Sequence, residues 1–542
     1  MAGTFLVALA VAVYLHGLGA VHILRNGDEP IYTQITRCTA ASGSWLPLRS
    51  DMPQMVNTKP PLLFWQGMLS TDWGRDWSFM ALRWPNVGWT FLTSALAGLL
   101  AWKIRGRDVS AGLLAAAVYL AFLSTYRYGR PFLTNAPETF WTTLCFFVMF
   151  WWRPRSFASR WLVPTLIGVI AGLAMLTKSF AQLLPIGLGL AAWHLHEIRH
   201  DDGSIDWRRL LTRSVPGLAW VAIVSLGMFS LWFLLDPDPA AIWREFVVQE
   251  NLGKMKAGRP NYLLAVLWGR FSIWQYGMTW FSNAGVLVLP VLGTFIRGWQ
   301  HRRHASREER LLWILLGVWF LVFFLPTQRS GRYLMPVMPM LAVLTAIHWQ
   351  RLLPSAFLGT LAIAGVVLGL LAWISVALAM ELGGVLPWEH WPMLVGSLAL
   401  VAYGCIDRRR RAASAVASAL CVSLAISSGQ LAFEHPHGAY PPDVVARAAG
   451  RVVWVPRTFL GSEEFQRMLL PGADVRGYDV GTEPPIGVGE MRAVMQRLDE
   501  PPPSGAIGSR LEMHARLTTD ECWGLASGRV AENLLRREWL VE

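Results

Sequence analysis

Two neighbouring carboxylates, Asp28 and Glu29, stand just past the first long apolar run, with Tyr32 close behind and Lys59-Pro60-Pro61 further on. A carboxylate pair beside hydrocarbon is costly to keep, which makes it a candidate for chemistry rather than packing. More such groups follow. Arg130, Asn135 and Glu138 lie in GRPFLTNAPETF, Lys178 in AMLTKSF, and Arg329, Arg332 and Tyr333 in TQRSGRYLMPVMP. Acids alone would suit a cation. Acids joined by several fixed cations suit a phosphate together with a group that must lose a proton. A departing lipid phosphate would have its charge met by Lys59, Lys178 and Arg332. Asp28 would take the proton from an attacking hydroxyl. One base without a second carboxylate nucleophile favours direct displacement with inversion. Plainer readings exist for each residue alone. Asp28 and Glu29 could be solvated loop acids, Arg130 and Lys178 snorkelling cations, and Asn135 and Glu138 helix-start residues. Their joint occurrence weighs against that account.

What must position these residues is a membrane-embedded frame. The chain has 542 residues, 54% hydrophobic and only 15% charged, against roughly 25% charged in a soluble domain. Its 29 Trp suit interfacial belts. Thirteen apolar stretches read as spans near 4–24, 84–102, 110–125, 137–152, 162–177, 180–196, 215–235, 277–296, 311–326, 334–350, 355–380, 390–406 and 413–432. The net charge of +12 is not gathered into a nucleic-acid patch, so no nucleic-acid partner is expected. The basic residues collect in alternate connections: Lys103 to Arg107, Arg153 to Arg160, Arg199 to Arg213, Arg297 to Arg310, Arg351, and Arg408 to Arg411. By the positive-inside rule these connections face the cytoplasm. The first span then runs outward, and residues 25–83, 236–276 and everything after about 433 lie outside.

The outer segments differ in character. Trp65, Trp73 and Trp77 interleave with apolar residues in 25–83, suggesting short helices in the interface plane. The 236–276 loop carries Trp243, Glu245, Glu250, Asn251, Lys254, Lys256 and Arg259. Residues 434–542 read as a small soluble α/β domain. Strands are expected at 451–456, 473–480 and 504–513, and helices at 462–470 (with Ser462 as N-cap), 487–500 and 518–526. This domain has no GxGxxG, P-loop or paired metal ligands, so no chemistry is assigned to it and it is expected to be dispensable for the chemical step. Residues 1–433 form the catalytic transmembrane domain. The five Cys show no metal-ligand spacing. Cys145, Cys405 and Cys421 fall in apolar runs, and a Cys38–Cys522 disulfide is open if both lie in an oxidising compartment. No cofactor is assigned, and a divalent metal is left open.

The ordered set DEPIY, TKPPLLFW, GRPFLTNAPETF, GLAMLTKSF, VVQENLGKM and SGRYLMPVMP resembles the GT-C glycosyltransferases of the protein O-mannosyltransferase type. Their bacterial branch includes the aminoarabinose transferase that modifies lipid A. The likeness covers roughly residues 5–350, with the thirteen-span plan and an outer C-terminal domain. It implies an all-α polytopic GT-C membrane protein in the bacterial inner membrane, its site on the periplasmic side. It also implies transfer of a hexosyl or pentosyl group from a polyisoprenyl (undecaprenyl) phosphate to an envelope acceptor such as lipid A, a glycan or a protein. Asp28 and Glu29 would form the catalytic pair, with Asp28 the base. Lys59, Lys178, Arg332 and Tyr333 would grip the donor phosphate. Tyr32, Arg130, Asn135, Glu138 and Asn251 would bind or orient substrates. Relatives often read Asp-Glu-x-Arg-Tyr where this chain has Ile31, a Tyr where it has Val56, and a second Asp where it has Asn135. These departures imply a rearranged donor grip. The main rival is a flippase or transporter for an anionic lipid or lipid-linked sugar. That would place charges near mid-bilayer, in paired broken helices, whereas here they gather at the outer boundary.

Overall fold

The computed structural model describes the chain apart from residues 1, 25–26, 53–55, 152–160, 200–203, 254–261, 270–271, 327–328, 384–385, 387, 458–462, 480, 483 and 514–517. Helices stand at all thirteen expected span positions. Among the described residues, five are long and apolar enough to cross a membrane alone, or six if the bent pair Val109–Ala121 and Leu123–Gly129 counts as one. The chain is therefore an all-α polytopic membrane protein with a small C-terminal α/β domain.

The helices that carry the site are α1 (Ala2–Leu15), α2 (Glu29–Ala41), α3 (Leu62–Ser70), α4 (Phe79–Ile104), α5 (Val109–Ala121), α6 (Leu123–Gly129), α7 (Asn135–Trp151) and α8 (Leu162–Thr177). Local chemistry sets several ends. The Ser78 hydroxyl accepts from the Ala81 amide to start α4, and Asp108 accepts from Ser110 to start α5, each satisfying a donor the first turn leaves open. The first span ends earlier than its hydropathy suggests. The helix stops at Leu15 rather than near residue 24, and Gly17 turns with a φ of 62°. Carbonyls freed beyond that end must find partners in a dry interior. Two buried arginines provide them: Arg130 donates to the Tyr14 (3.1 Å) and His16 carbonyls, and Arg83 to the Leu18 (3.0 Å) and Ala20 carbonyls.

Residues 25–83 hold the short helices α2 and α3, which pack on each other; Trp65 lies in α3, whereas Trp73 and Trp77 lie in neither helix. Gly67 makes that approach workable, because a Cβ there would meet Thr36 at 2.8 Å and Phe132 at 2.7 Å. Beneath them lies an apolar core distinct from the main bundle core. It joins Ile31, Tyr32, Phe64 and Phe132 to Met175, Phe229, Trp232 and Phe246. The expected second loop, 236–276, supplies Phe246 from a π-helical segment, Trp243–Leu252. Lys254, Lys256 and Arg259 lie outside the described residues.

The C-terminal domain is a five-stranded mixed sheet, order β2-β1-β3-β5-β4. Its strands are β1 (Val452–Arg457), β2 (Asp474–Asp479), β3 (Met491–Gln496), β4 (Ala506–Met513) and β5 (Leu535–Val541). The helices Glu463–Leu469 and Thr519–Ala526 stand where expected, the latter closed by a Thr518–Glu521 capping box; Ser462 lies outside the described residues. The helix expected at 487–500 is instead the central strand β3. Met491 and Ala493 alternate into the core, and pairing with β1 and β5 overrides the local helix propensity of Met, Arg and Gln. β5 was not expected at all. Cys38 and Cys522 are unbridged. The Cys38 thiol instead donates to Asp51 at 3.3 Å. Burial, with Asp51 adding and Arg37 opposing, pushes it up to about 12.

Candidate active site

The segment after α1 delivers Asp28 to the start of α2, where it occupies the N-cap position without capping the helix with its side chain. Its carboxylate is left for another partner, the Arg332 guanidinium, which it engages in a close ion pair; the side chains are 23% and 24% exposed. Residues 304 positions apart in sequence thus meet in a pocket still open to solvent. Arg332 rides on the short helical segment Gly331–Val337. That segment is fastened by Asn283, which donates to the Gly331 carbonyl at 2.9 Å, and by Trp319, which donates to the Tyr333 carbonyl at 2.8 Å.

Two further acid–base pairs adjoin the first. Lys178, the residue after α8, donates to Glu138 of α7 at 2.6 Å, and its ammonium lies 5.3 Å from the centre of the Tyr333 ring. Gln182 donates to the other Glu138 oxygen. Lys59 donates to Glu250 of the Trp243–Leu252 segment at 2.5 Å. Tyr32 links the pairs electrostatically. Burial raises its hydroxyl well above the usual range, the Asp28 carboxylate adds to the rise, Arg332 opposes it, and Glu250 and Tyr333 add further. Burial opposes the charge on Arg332, but the Asp28 carboxylate and then Tyr32 more than offset it, so its pKa is raised. Asp28, Tyr32, Lys59, Glu138, Lys178, Arg332 and Tyr333 are thus brought to one place from five separate stretches of chain.

The structure places other expected residues in contacts outside this cluster. Glu29 was expected beside Asp28 in the chemistry. It is instead fully buried, held by Arg83 at 2.7 and 3.1 Å and by the Phe132 amide at 2.9 Å. Consecutive helical residues point about 100° apart, so one faces the cavity and the next the core. Arg130 was expected at substrate and is 1% exposed, bound to the α1 carbonyls and the Tyr126 hydroxyl. Asn251 ties the loop after Lys178 in place, accepting from Ser179 at 2.7 Å and donating to the Phe246 carbonyl at 2.7 Å. Asn135 opens α7 three residues before Glu138. Its buried side-chain nitrogen has no hydrogen-bond partner among the described residues, leaving a donor available. Glu250, Gln182 and Arg83 were missed as site residues. Each is a polar side chain within or beside an apolar run, which was the available signal.

If Glu29 holds Arg83 rather than substrate, Glu29→Gln should cost about 3 kcal/mol of stability, because a buried guanidinium loses its counter-charge. Thermal unfolding should register that loss. The rate per folded molecule should fall less than about tenfold, short of the 10²-fold that removing a proton-transfer group costs.

A groove of about 580 Å³ leads up to the cluster, lined by Leu62, Trp65, Leu69, Trp84, Trp89 and Trp141 among others. It touches Pro137 and Thr177, the residues immediately before Glu138 and Lys178. An apolar channel whose lining reaches the chain neighbours of Glu138 and Lys178 is the shape a lipid tail requires. Among the described residues, no group of three or more His, Cys, Asp or Glu side chains is placed to hold a metal ion.

Residues 27–236 match the dolichyl-phosphate-mannose-protein mannosyltransferase family. That stretch, less than half of the chain, is similar to the family. The matched stretch begins at the residue before Asp28 and takes in Lys59, Glu138 and Lys178. The likeness extends to curated relatives. An undecaprenyl phosphate-alpha-4-amino-4-deoxy-L-arabinose arabinosyl transferase of Sodalis glossinidius is 25% identical over 456 residues, covering 79% of this chain and 76% of the relative. A counterpart from Pseudomonas savastanoi pv. phaseolicola is 28% identical over 407 residues, covering 72% and 69%. The fold matches ArnT from Cupriavidus metallidurans, crystallised with undecaprenyl phosphate, with a TM-score of 0.62 and 18% identity over 99% of this chain and 97% of that one. The chain therefore shares the fold of that structure.

Proposed function

We propose that this chain is an integral-membrane glycosyltransferase. It moves a sugar from a polyisoprenyl (undecaprenyl) phosphate to an envelope acceptor, lipid A or another glycan or protein, on the periplasmic face. The observation that carries the reading is the meeting of Asp28, Arg332, Lys178 and Tyr333, with an apolar groove reaching Pro137 and Thr177, the chain neighbours of Glu138 and Lys178. The activity of the similar arabinosyl transferases supports an undecaprenyl phosphate donor.

In this reading the prenyl tail occupies the groove and the phosphate reaches Lys59, Lys178 and Arg332. Each of those cations is paired with a carboxylate in the structure. Phosphate arrival draws Arg332 toward the donor and releases Asp28 from its ion pair. Asp28 can then accept the acceptor's hydroxyl proton as the oxygen bonds to the anomeric carbon. The bond from that carbon to the phosphate oxygen breaks, and the electron pair leaves with the lipid phosphate, whose charge the cations stabilise. Attack opposite the leaving group inverts the anomeric centre. Asn135 and Glu138 orient the sugar, while Glu29, Arg130 and Asn251 hold the site in shape.

The test is to incubate purified chain with undecaprenyl phosphate carrying 4-amino-4-deoxy-L-arabinose, or a hexose, together with lipid A. Mass spectrometry should find one sugar added to the acceptor and free undecaprenyl phosphate. Movement of the lipid between leaflets of reconstituted vesicles, with no new glycosidic product for any sugar tested, would favour the carrier reading.

The proposed orientation makes a separate prediction. Cys405 and Cys522 are both exposed, one beside the Arg408–Arg411 tract and one in the C-terminal domain. With single-cysteine chains in spheroplasts, an impermeant maleimide should label Cys522 at once and Cys405 only after lysis. The reverse pattern would invert the topology.

A further inference from the structure

The C-terminal domain carries no chemistry of its own, yet one of its helices is built into the support of Asp28. On the Glu463–Leu469 helix, Glu464 is fully buried and Glu463 is 2% exposed. Charges so buried need partners, and beside Arg467 of the same helix and Arg457 of β1 these lie on α2. Arg37 donates through Nε to both Glu464 oxygens, at 2.9 and 3.2 Å, and through Nη2 to Asp51 at 2.6 Å. Arg467 closes the network, 3.4 Å from Glu464 and 3.8 Å from Asp51. Gln34 reaches Glu463 at 3.5 Å. Arg37 and Gln34 belong to the same helix that Asp28 begins, so the contacts grip a rigid body whose other end is the proposed base.

A second line of contact arrives at that end independently. Phe465 meets the Phe79 ring edge-on, with centroids 5.0 Å apart. The Arg83 guanidinium lies over Phe79 at 4.1 Å, and Arg83 grips Glu29, the neighbour of Asp28, with two hydrogen bonds. The same short helix therefore fixes α2 near its C-terminal end through ions and at its start through a stacked aromatic and an arginine.

We infer that the Glu463–Leu469 helix is a positioning element for Asp28, with Glu464 its principal positioning residue, so the C-terminal domain takes part in catalysis by setting the aim of the base. This rests on the reading of Asp28 as base, and it replaces the expectation that the domain is dispensable for the chemical step. A misplacement of a catalytic group by a fraction of an ångström costs about tenfold, and a full ångström about 10²-fold.

The test uses the full chain and the donor and acceptor that support its turnover. Glu464→Gln should lower kcat about tenfold with the KM for donor within about twofold, and Glu464→Asp should recover part of the loss. In an Asp28→Asn background, Glu464→Gln should change the residual rate by less than about twofold, because a residue that acts through Asp28 has nothing left to aim. Should Glu464→Gln fail to fold, Phe465→Leu goes through the same two backgrounds. Normal turnover in either variant, or an equal loss in both backgrounds, overturns the inference. Full turnover in Asp28→Asn alone would instead overturn the base reading, and the inference with it.

Discussion

Asp28→Asn should lower sugar transfer about 10²- to 10⁴-fold, the range that loss of a general base costs. The substitution keeps the size and planar shape of the side chain and removes the proton acceptor. It also cancels the charge that Arg332 faces in the resting site. The two effects separate in kinetics. Loss of the base lowers kcat, whereas an unpaired Arg332 should hold donor phosphate at least as firmly as before. Donor KM should therefore stay level or fall while kcat collapses. Expression and thermal stability should stay near those of the unmodified chain, because the ion pair is part-exposed and exposed pairs contribute about 1 kcal/mol or less. A purified, folded Asp28→Asn chain turning over at more than a tenth of the normal rate would remove Asp28 from the mechanism.

How much of this was legible in the sequence depends on distance along the chain. Helix positions follow from hydropathy, a local property, and helices stand where the apolar runs predict them. The polar residues of the cluster were legible as a set because ionisable groups beside apolar runs are unusual. Their pairing was not. Asp28 with Arg332 and Lys59 with Glu250 join residues 304 and 191 positions apart, and nothing local specifies which acid takes which base. The same blindness explains the end of α1. Residues 16–24 are apolar enough to continue the helix, but the turn at Gly17 is made tenable by Arg83 and Arg130, far downstream. Glu29 and Arg130 were read as functional because buried and reactive charges look alike in a sequence; only their partners tell them apart. The 487–500 segment failed differently. Its Glu, Met, Arg and Gln favour helix locally, but β1 and β5 flank it on both sides and set its conformation.

The cations make the second large prediction. Lys178→Met and Arg332→Met should each slow transfer about 10²-fold, as loss of one group stabilising developing charge does elsewhere. They should differ in what else they disturb. Lys178 is the 2.6 Å partner of Glu138, whose side chain is 1% exposed. Removing the ammonium strands a buried carboxylate, so Lys178→Met should also lower thermal stability, by about 3 kcal/mol. Arg332 pairs with an Asp28 that water can reach, so Arg332→Met should leave stability within about 1 kcal/mol while weakening donor binding. The double variant discriminates further. If both cations hold the same phosphate, their losses in transfer should fall short of the product of the singles, because a phosphate already released by one change has less to lose from the other. Binding of undecaprenyl phosphate itself, measured by calorimetry, should weaken in both single variants. Unchanged affinity in both, with normal turnover, would take the phosphate away from this cluster and leave the groove without its anchor.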